Sequence, residues 1–374
     1  MLILGCIRIS WFAAFVSLAC LAGTVVACLL RKARQRDMTD VLKCVVLGVP
    51  LGIVMGRINY LIFAGSSMNS FGECLNITNG GFGLYGVIFG VWLAALIVFR
   101  YMGCDGSFGE LLDCLAVGGA LAVTIGRFAT CFTSSEVGFV VNFKLFAVYD
   151  AKQDVYNLAV YQLDGIYEAL VLAVSLWFFV YAEKKFGTDS ASGKTALLMI
   201  ALHGTNQAIM DSMRADPLKL GLNEFIKSSQ IIGITSFVVV LVYFMVKSAM
   251  LSGFGKFHIV SIPTIIMAVI LGVFGEYRVG SSNYISNHLI MLVGMMILNF
   301  LVIAFAMSSM RVSQATQAIQ PKADGTRNSE GKQLHSSRQG GYEPRDASAS
   351  RRGNPPSRNA AVPAGGNSRF RAKG

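Results

Sequence analysis

This chain is short of charge. Asp, Glu, Lys and Arg together make up 14% of its 374 residues, against about 25% in ordinary soluble domains. A soluble surface is hard to build from so little, and the 54% hydrophobic content and mean hydropathy of +0.56 point the same way. Metal and disulfide frameworks also lack their material. The 4 histidines are scattered without zinc spacing, and none of the 8 cysteines forms a CxxC pair. Most of the cysteines fall in apolar runs and read as small core hydrophobes. The stretch 66–80, SSMNSFGECLNITNG, contains no Lys or Arg.

Long apolar runs are what the chain does have. About nine of them reach the roughly 20 residues needed to cross a bilayer: near 10–30, 41–64, 81–100, 110–133, 165–183, 196–213, 231–250, 257–275 and 284–310. The sixth, LLMIALHGTNQAIMDSM, has a polar second half. Such a segment crosses a membrane only if those residues face protein or water. The expected fold is an all-α, polytopic membrane bundle of about nine helices.

Lys and Arg bias orients it. RKARQRD after the first run is strongly basic and is expected in the cytoplasm, which puts the N-terminus outside and the C-terminus inside. From Arg311 the chain holds 12 Lys and Arg against 4 Asp and Glu and is rich in Ser, Gly, Asn and Ala. Residues 311–374 therefore read as a basic cytoplasmic tail without fixed structure, held near anionic lipid. Nothing aromatic or structured in it suggests nucleic acid as a partner. Gly81, Gly83 and Gly86 fit GxGxxG but open an apolar run rather than follow a strand, which excludes a dinucleotide fold. Asn76-Ile77-Thr78 matches the glycosylation sequon, a pattern short enough to arise by chance.

Two arginines stand out: Gly56-Arg57 and Gly126-Arg127 each lie inside or at the end of an apolar run. A charge at bilayer depth costs several kcal/mol, so it faces a polar interior and has a partner. Arginine cannot shed its proton, and its planar fork suits phosphate. Other polar residues gather on the same side of the expected topology. Tyr167 and Glu168 stand at the outer end of the fifth run and Glu136 just past the fourth; His203, Asn206, Gln207, Asp211 and Arg214 occupy the sixth. Gln207, Asp211 and Arg214 are spaced to share one helix face. Arg57, Arg127, Arg214 and Glu168 are expected to converge on one polar cavity suited to an anionic head group.

The order of motifs resembles a known family. Gly56-Arg57-Ile58-Asn59-Tyr60 is followed by Asn79-Gly80-Gly81-Phe82-Gly83-Leu84-Tyr85-Gly86, then by Leu112-Asp113 and Gly126-Arg127-Phe128-Ala129-Thr130-Cys131-Phe132. Tyr161-Gln162, Ile166-Tyr167-Glu168, Met210-Asp211-Ser212-Met213-Arg214-Ala215-Asp216 and Ser229-Gln230 complete the series. Over about residues 10–250 this resembles a divergent bacterial prolipoprotein diacylglyceryl transferase. The resemblance implies a seven-helix transferase-like core at 1–250, with two additional helices at 251–310 outside it. It implies transfer of a diacylglyceryl group from phosphatidylglycerol to the lipobox cysteine of prolipoprotein signal peptides, at the outer leaflet of the plasma membrane. Membrane lipids are the further partners, and neither cofactor nor metal is implied. Arg127 would be the essential arginine at the phosphate, with Tyr85 and Glu136 in the catalytic set. Arg57, Tyr60, Tyr167, Glu168, Gln207, Asp211 and Arg214 would bind substrate around the same cavity.

The chain departs from the family pattern at several places. Tyr85 stands where many members have histidine, Ala129-Thr130 replaces a Gly-Asn pair, and Glu136 is one residue out of register. Gln207 replaces an arginine, and Asp211 a glutamate. A relative that binds anionic lipid without the reaction, or with another substrate, is one alternative. An unrelated anion transporter is the other, although no convincing internal repeat is visible.

Overall fold

The computed structural model describes residues 2–4, 7–64, 81–133, 136–215, 227–277 and 288–311. The sequon, the start of the second glycine motif, Asp216 and the tail beyond Arg311 lie outside them. A short antiparallel hairpin pairs β1 (Leu2–Leu4) with β2 (Ile7–Ile9). Helices follow: α1 (Trp11–Ala33), α2 (Thr39–Ala64), α3 (Leu84–Tyr101), α4 (Phe108–Ala129), α5 (Val160–Phe186), α6 (Lys194–Met213), α7 (Ser228–Ser252), α8 (Lys256–Tyr277) and α9 (His288–Arg311). Eight of the nine are long and apolar enough to cross a membrane. The fold is that of an all-α polytopic membrane protein.

The exception is α6, the helix of the polar sixth run. It is 20 residues long, and every residue but Leu197, Ile200 and Met213 is buried. Its polar residues are tolerable because protein, not lipid, surrounds them. The other helices present Leu21, Val25, Leu29, Val46, Ile62, Val239 and Phe300 outward, an apolar exterior suited to acyl chains.

Without a hydrophobic force between helices in lipid, small residues that let backbones approach do the joining. Gly52 and Gly56 on α2 face Val87 on α3, while a side chain at Gly86 or Gly90 of α3 would strike the carbonyl of Met55 or Leu51 on α2. Gly23 of α1 and Gly118 of α4 each lie against the other's carbonyl, as do Gly204 of α6 and Gly233 of α7. A single apolar core then joins α5, α6, α7, α8 and α9 through Phe178, Leu198, Phe244, Ala268, Val302 and Phe305.

Helix ends are fixed by specific contacts. The Ser10 hydroxyl caps α1 by accepting from the Ala13 N–H at 3.1 Å. Ser107 caps α4 through the Glu110 N–H at 3.2 Å, and its own hydroxyl donates to Glu110 Oε1. Around these caps one end of the bundle is an ion-pair lattice. Arg31 meets Asp40 at 3.0 Å, Arg36 meets Glu110 at 3.0 Å, and Arg34 reaches Asp113 at 3.7 Å and Glu183 at 3.4 Å. Asp113 also accepts from the Gly193 and Ala196 N–H groups at the start of α6. Burial and the Asp40 carboxylate push the Cys104 thiol in this lattice up to about 11. The arginines of the basic loop are thus held by carboxylates from α2, α4 and α5 and from the turn before α4.

The lattice gathers the end of α1, the start of α2, the end of α3, the start of α4, the end of α5 and the start of α6. From α1 to α6 the chain therefore runs up and down, and the alternate ends of these helices meet at the other end of the bundle. There the segment between α4 and α5 folds into a small antiparallel sheet. Its strands β3 (Val140–Val141), β4 (Ala147–Asp150) and β5 (Val155–Leu158) lie in the order β3-β5-β4, with Val140 opposite Asn157 and Tyr149 opposite Tyr156.

Candidate functional site

Arg127 lies in the last turn of α4, which ends at Ala129. The Thr130 hydroxyl donates to its carbonyl at 2.6 Å and the next residues tighten into a 3-10 turn, so its backbone is fixed. Its guanidinium is almost wholly buried. Nη1 donates to Glu136 Oε1 at 2.8 Å, Nη2 donates to Gln207 Oε1 at 2.9 Å, and Nε lies 3.0 Å from Asp164 Oδ2. Each edge of the fork meets a different element.

Arg214 enters from the opposite side. It is not on the helix face with Gln207 and Asp211 as the spacing suggests: α6 ends at Met213 and Arg214 is its extended cap. It still pairs with Asp211, Nη1 to Oδ1 at 3.0 Å, while Nη2 lies 2.9 Å from Glu136 Oε1 and 3.4 Å from Asp164 Oδ2. Lys227, just before α7, donates to the Asp211 carbonyl, and Gln230 Nε2 donates to the Ala208 carbonyl at 3.1 Å.

Glu136 Oε1 therefore sits between two guanidinium groups, 2.8 Å from one and 2.9 Å from the other. Its backbone has φ 62°, the left-handed region, which costs a non-glycine residue of order 1–3 kcal/mol. The neighbouring chain supports it: the Ala215 N–H donates to the Val137 carbonyl at 3.1 Å, and Gly138 bridges to Arg214. A carboxylate held in a strained backbone between two arginines marks an anion position.

Beneath it lies a second layer. Asp164 and Glu168 are one turn apart on α5 and both fully buried. Asn206 Nδ2 donates to Asp164 Oδ1 and Glu168 Oε1, each at 2.6 Å, and His203 Nδ1 lies 2.6 Å from Glu168 Oε1. The Tyr85 ring lies 5.5 Å from the His203 ring. Tyr167, one residue before Glu168, accepts from Asn299 Nδ2 at 2.7 Å; the Asn299 carbonyl accepts from the Thr205 hydroxyl at 2.9 Å.

The structure thus brings Arg127, Glu136, Gln207, Asp211, Arg214 and Glu168 into one network, with Tyr85 beside His203; the Tyr167 hydroxyl turns instead to Asn299 of α9. Arg57 is buried too. Its described partners lie between α2 and α3: Nη1 donates to the Gly81 carbonyl at 3.0 Å, and the guanidinium stands 5.3 Å over the Tyr60 ring. Arg57 and Tyr60 share the network's end of the bundle. Asp164, which binds both Arg127 and Arg214, was missed. Its signal was the i,i+4 spacing with Glu168, two acids on one face of an apolar helix. Among the described residues, no group of three His, Cys, Asp or Glu is arranged to hold a metal ion.

Fold and site together define a multi-pass helical membrane protein whose two arginines are fixed around one anion position. Residues 1–246 match the prolipoprotein diacylglyceryl transferase family, and the chain belongs to that family. The phosphatidylglycerol–prolipoprotein diacylglyceryl transferase of Listeria welshimeri is 25% identical over 223 residues, 58% of this chain and 79% of the relative. The protein of that name from Clostridioides difficile is 24% identical over 238 residues, 63% and 91% of the two chains. That from Finegoldia magna is 24% identical over 229 residues, 61% and 87%.

Proposed function

We propose that this protein transfers a diacylglyceryl group from phosphatidylglycerol to the lipobox cysteine thiol of prolipoproteins. One observation carries the reading beyond family membership: a single carboxylate oxygen held by Arg127 and Arg214 at hydrogen-bond distance from both. A phosphodiester oxygen has the size and charge to take that place. Charge grows on the phosphate as its ester bond to the glycerol carbon breaks, and fixed cations aimed at it lower the barrier. Asp164 and Gln207 aim Arg127, and Asp211 aims Arg214. Glu136, tethered in a strained backbone, yields to the phosphate and leaves both arginines to it. Arg57 and Tyr60, at the same end, extend the surface for lipid.

Orientation follows from the Lys and Arg bias. The ion-pair lattice faces the cytoplasm, and the arginine network faces the outer leaflet of the plasma membrane, where signal peptides emerge. Residues 251–310 are an appended helical pair, and 311–374 a cytoplasmic tail.

A second reading has its own observation. Arg127 and Arg214 are surrounded by the carboxylates of Glu136, Asp164 and Asp211, which suffice to hold them as a structural network in a relative that only binds lipid. The deciding experiment supplies the purified protein with phosphatidylglycerol vesicles and a lipobox peptide and looks for the thioether by mass spectrometry. Thioether that disappears in Arg127→Lys supports the transferase. Vesicle binding without product, from a folded parent protein, rejects it in favour of the second reading.

A further inference from the structure

His203 has no part in the chemistry described above, yet it is one of the most deeply buried polar side chains in the protein. Its Nδ1 faces Glu168 Oε1 at 2.6 Å. A carboxylate only accepts, so Nδ1 carries the proton and the lone pair of the neutral ring lies on Nε2. Among the described residues Nε2 has no hydrogen-bond partner, and the buried Tyr85 hydroxyl beside the ring has none either. Leaving such an acceptor unmet costs about 1–3 kcal/mol. The structure spends further contacts on holding it there. Asn206 pins Glu168, and the Asn299–Tyr167 and Asn299–Thr205 bonds brace α5 and α6 on either side.

Position matters as much as the free nitrogen. His203 and Gln207 are i and i+4 on α6, so the ring lies one turn, about 5.4 Å, deeper in the bundle than the side chain that holds Arg127 Nη2. Displacement at a carbon needs the nucleophile opposite the leaving group. A thiol served by His203 would therefore approach, from the inner side, a lipid whose phosphate lies at Arg127 and Arg214. The titratable groups against the ring are Glu168 from α5 and Tyr85 from α3; Arg127 from α4, Asp164 from α5 and Asp211 from α6 act on the Tyr85 hydroxyl from farther out.

We propose that His203 is the base that takes the proton of the acceptor thiol, with Glu168 as the residue that positions it. The assignment rests on the transferase reading. In the step, the S–H bond breaks and its proton goes to Nε2. The sulfur pair forms the C–S bond to the glycerol carbon of the lipid. The C–O bond to phosphate breaks, and its electron pair leaves on glycerol phosphate. The imidazolium returns its proton to that phosphate, which restores the neutral ring. Thiol plus phosphatidylglycerol gives thioether plus glycerol phosphate, with nothing else consumed.

The test uses the full-length protein in phosphatidylglycerol vesicles with two lipobox peptides, one carrying cysteine and one selenocysteine, which is already ionised at neutral pH. His203→Gln should lose about 10²–10⁴-fold of turnover on the cysteine peptide, the usual worth of a general base, and far less on the selenocysteine peptide. Glu168→Gln should show the same split, and it carries the test if His203→Gln does not survive purification. Equal losses on both peptides would make the pair structural and overturn the assignment, as would an unchanged rate on cysteine. A parent protein inactive on both peptides would instead bring down the transferase reading, and the base with it.

Discussion

Arg127 and Arg214 share one acceptor oxygen, and that places opposite demands on the residues around it. Arg127→Lys keeps the charge but loses the wide planar fork whose Nη1, Nη2 and Nε reach Glu136, Gln207 and Asp164 separately. Loss of such a donor costs about 2.7–4 kcal/mol of barrier. Turnover of the lysine variant should therefore fall by two to three orders of magnitude (about 10²–10³-fold), while the protein still extracts and purifies as a folded species. Glu136→Gln should do something different. It removes the resident anion but leaves both arginines, so KM for phosphatidylglycerol should drop; a kinetic titration against lipid fraction reads this directly, and an unchanged or raised KM would deny Glu136 its place-holding role. The Gly-Arg pairs were legible in the sequence because a charge inside an apolar run is anomalous wherever it occurs. Asp164 and His203 were not given roles, because which acid or imidazole meets which arginine depends on helix rotations that no spacing along one strand of chain reveals. Arg57 shows the same limit from the other side: its burial was legible, its partners were not.

The spacing of apolar runs located all nine helices, and length and hydrophobicity suffice to define eight of them as candidate spans; α6, with its polar second half, is the one they do not define. Their pairing rests on smaller features. Gly23 and Gly118 let α1 and α4 touch backbone to backbone, so Gly118→Leu would drive a side chain into the Gly23 carbonyl. The variant should unfold at a markedly lower temperature in a detergent thermal melt, and a Gly118→Ala melt should fall between it and the parent. The sheet between α4 and α5 escaped sequence reading because its strands are two to four residues long and carry little alternation. It matters to function all the same, since it returns the chain from Glu136 to Asp164. On the far side, Asn299 of α9 ties Tyr167 to Thr205 through two bonds. The Thr205 hydroxyl also reaches the Leu202 carbonyl at 2.8 Å, so Asn299→Leu removes the tie between the helices and the donor to the Tyr167 hydroxyl, at a cost of about 1–3 kcal/mol, and a lowered melting temperature is the expected result.

For the whole molecule, the helices beyond the family match and the orientation each have a physical handle. The family match ends at residue 246, yet Val302, Phe305, Ala306 and Met310 of α9 belong to the same core as Phe178, Leu202 and Phe244. Truncation after residue 250 would strip that core of one wall and should abolish recovery of folded protein, measured by size-exclusion chromatography of membrane extracts. Orientation is tested at two exposed positions on opposite ends of the bundle. Met102 ends α3 beside the ion-pair lattice, and Lys152 lies between β4 and β5 at the end that holds the arginine network. In a background without native cysteines, Lys152→Cys should react with a membrane-impermeant thiol reagent added to intact cells, while Met102→Cys should react only after the membrane is opened. The Lys and Arg bias of RKARQRD predicts this sense, and the up-and-down alternation requires the two positions to differ. The reverse pattern would turn the network toward the cytoplasm, away from emerging signal peptides, and the proposed acceptor would fall with it.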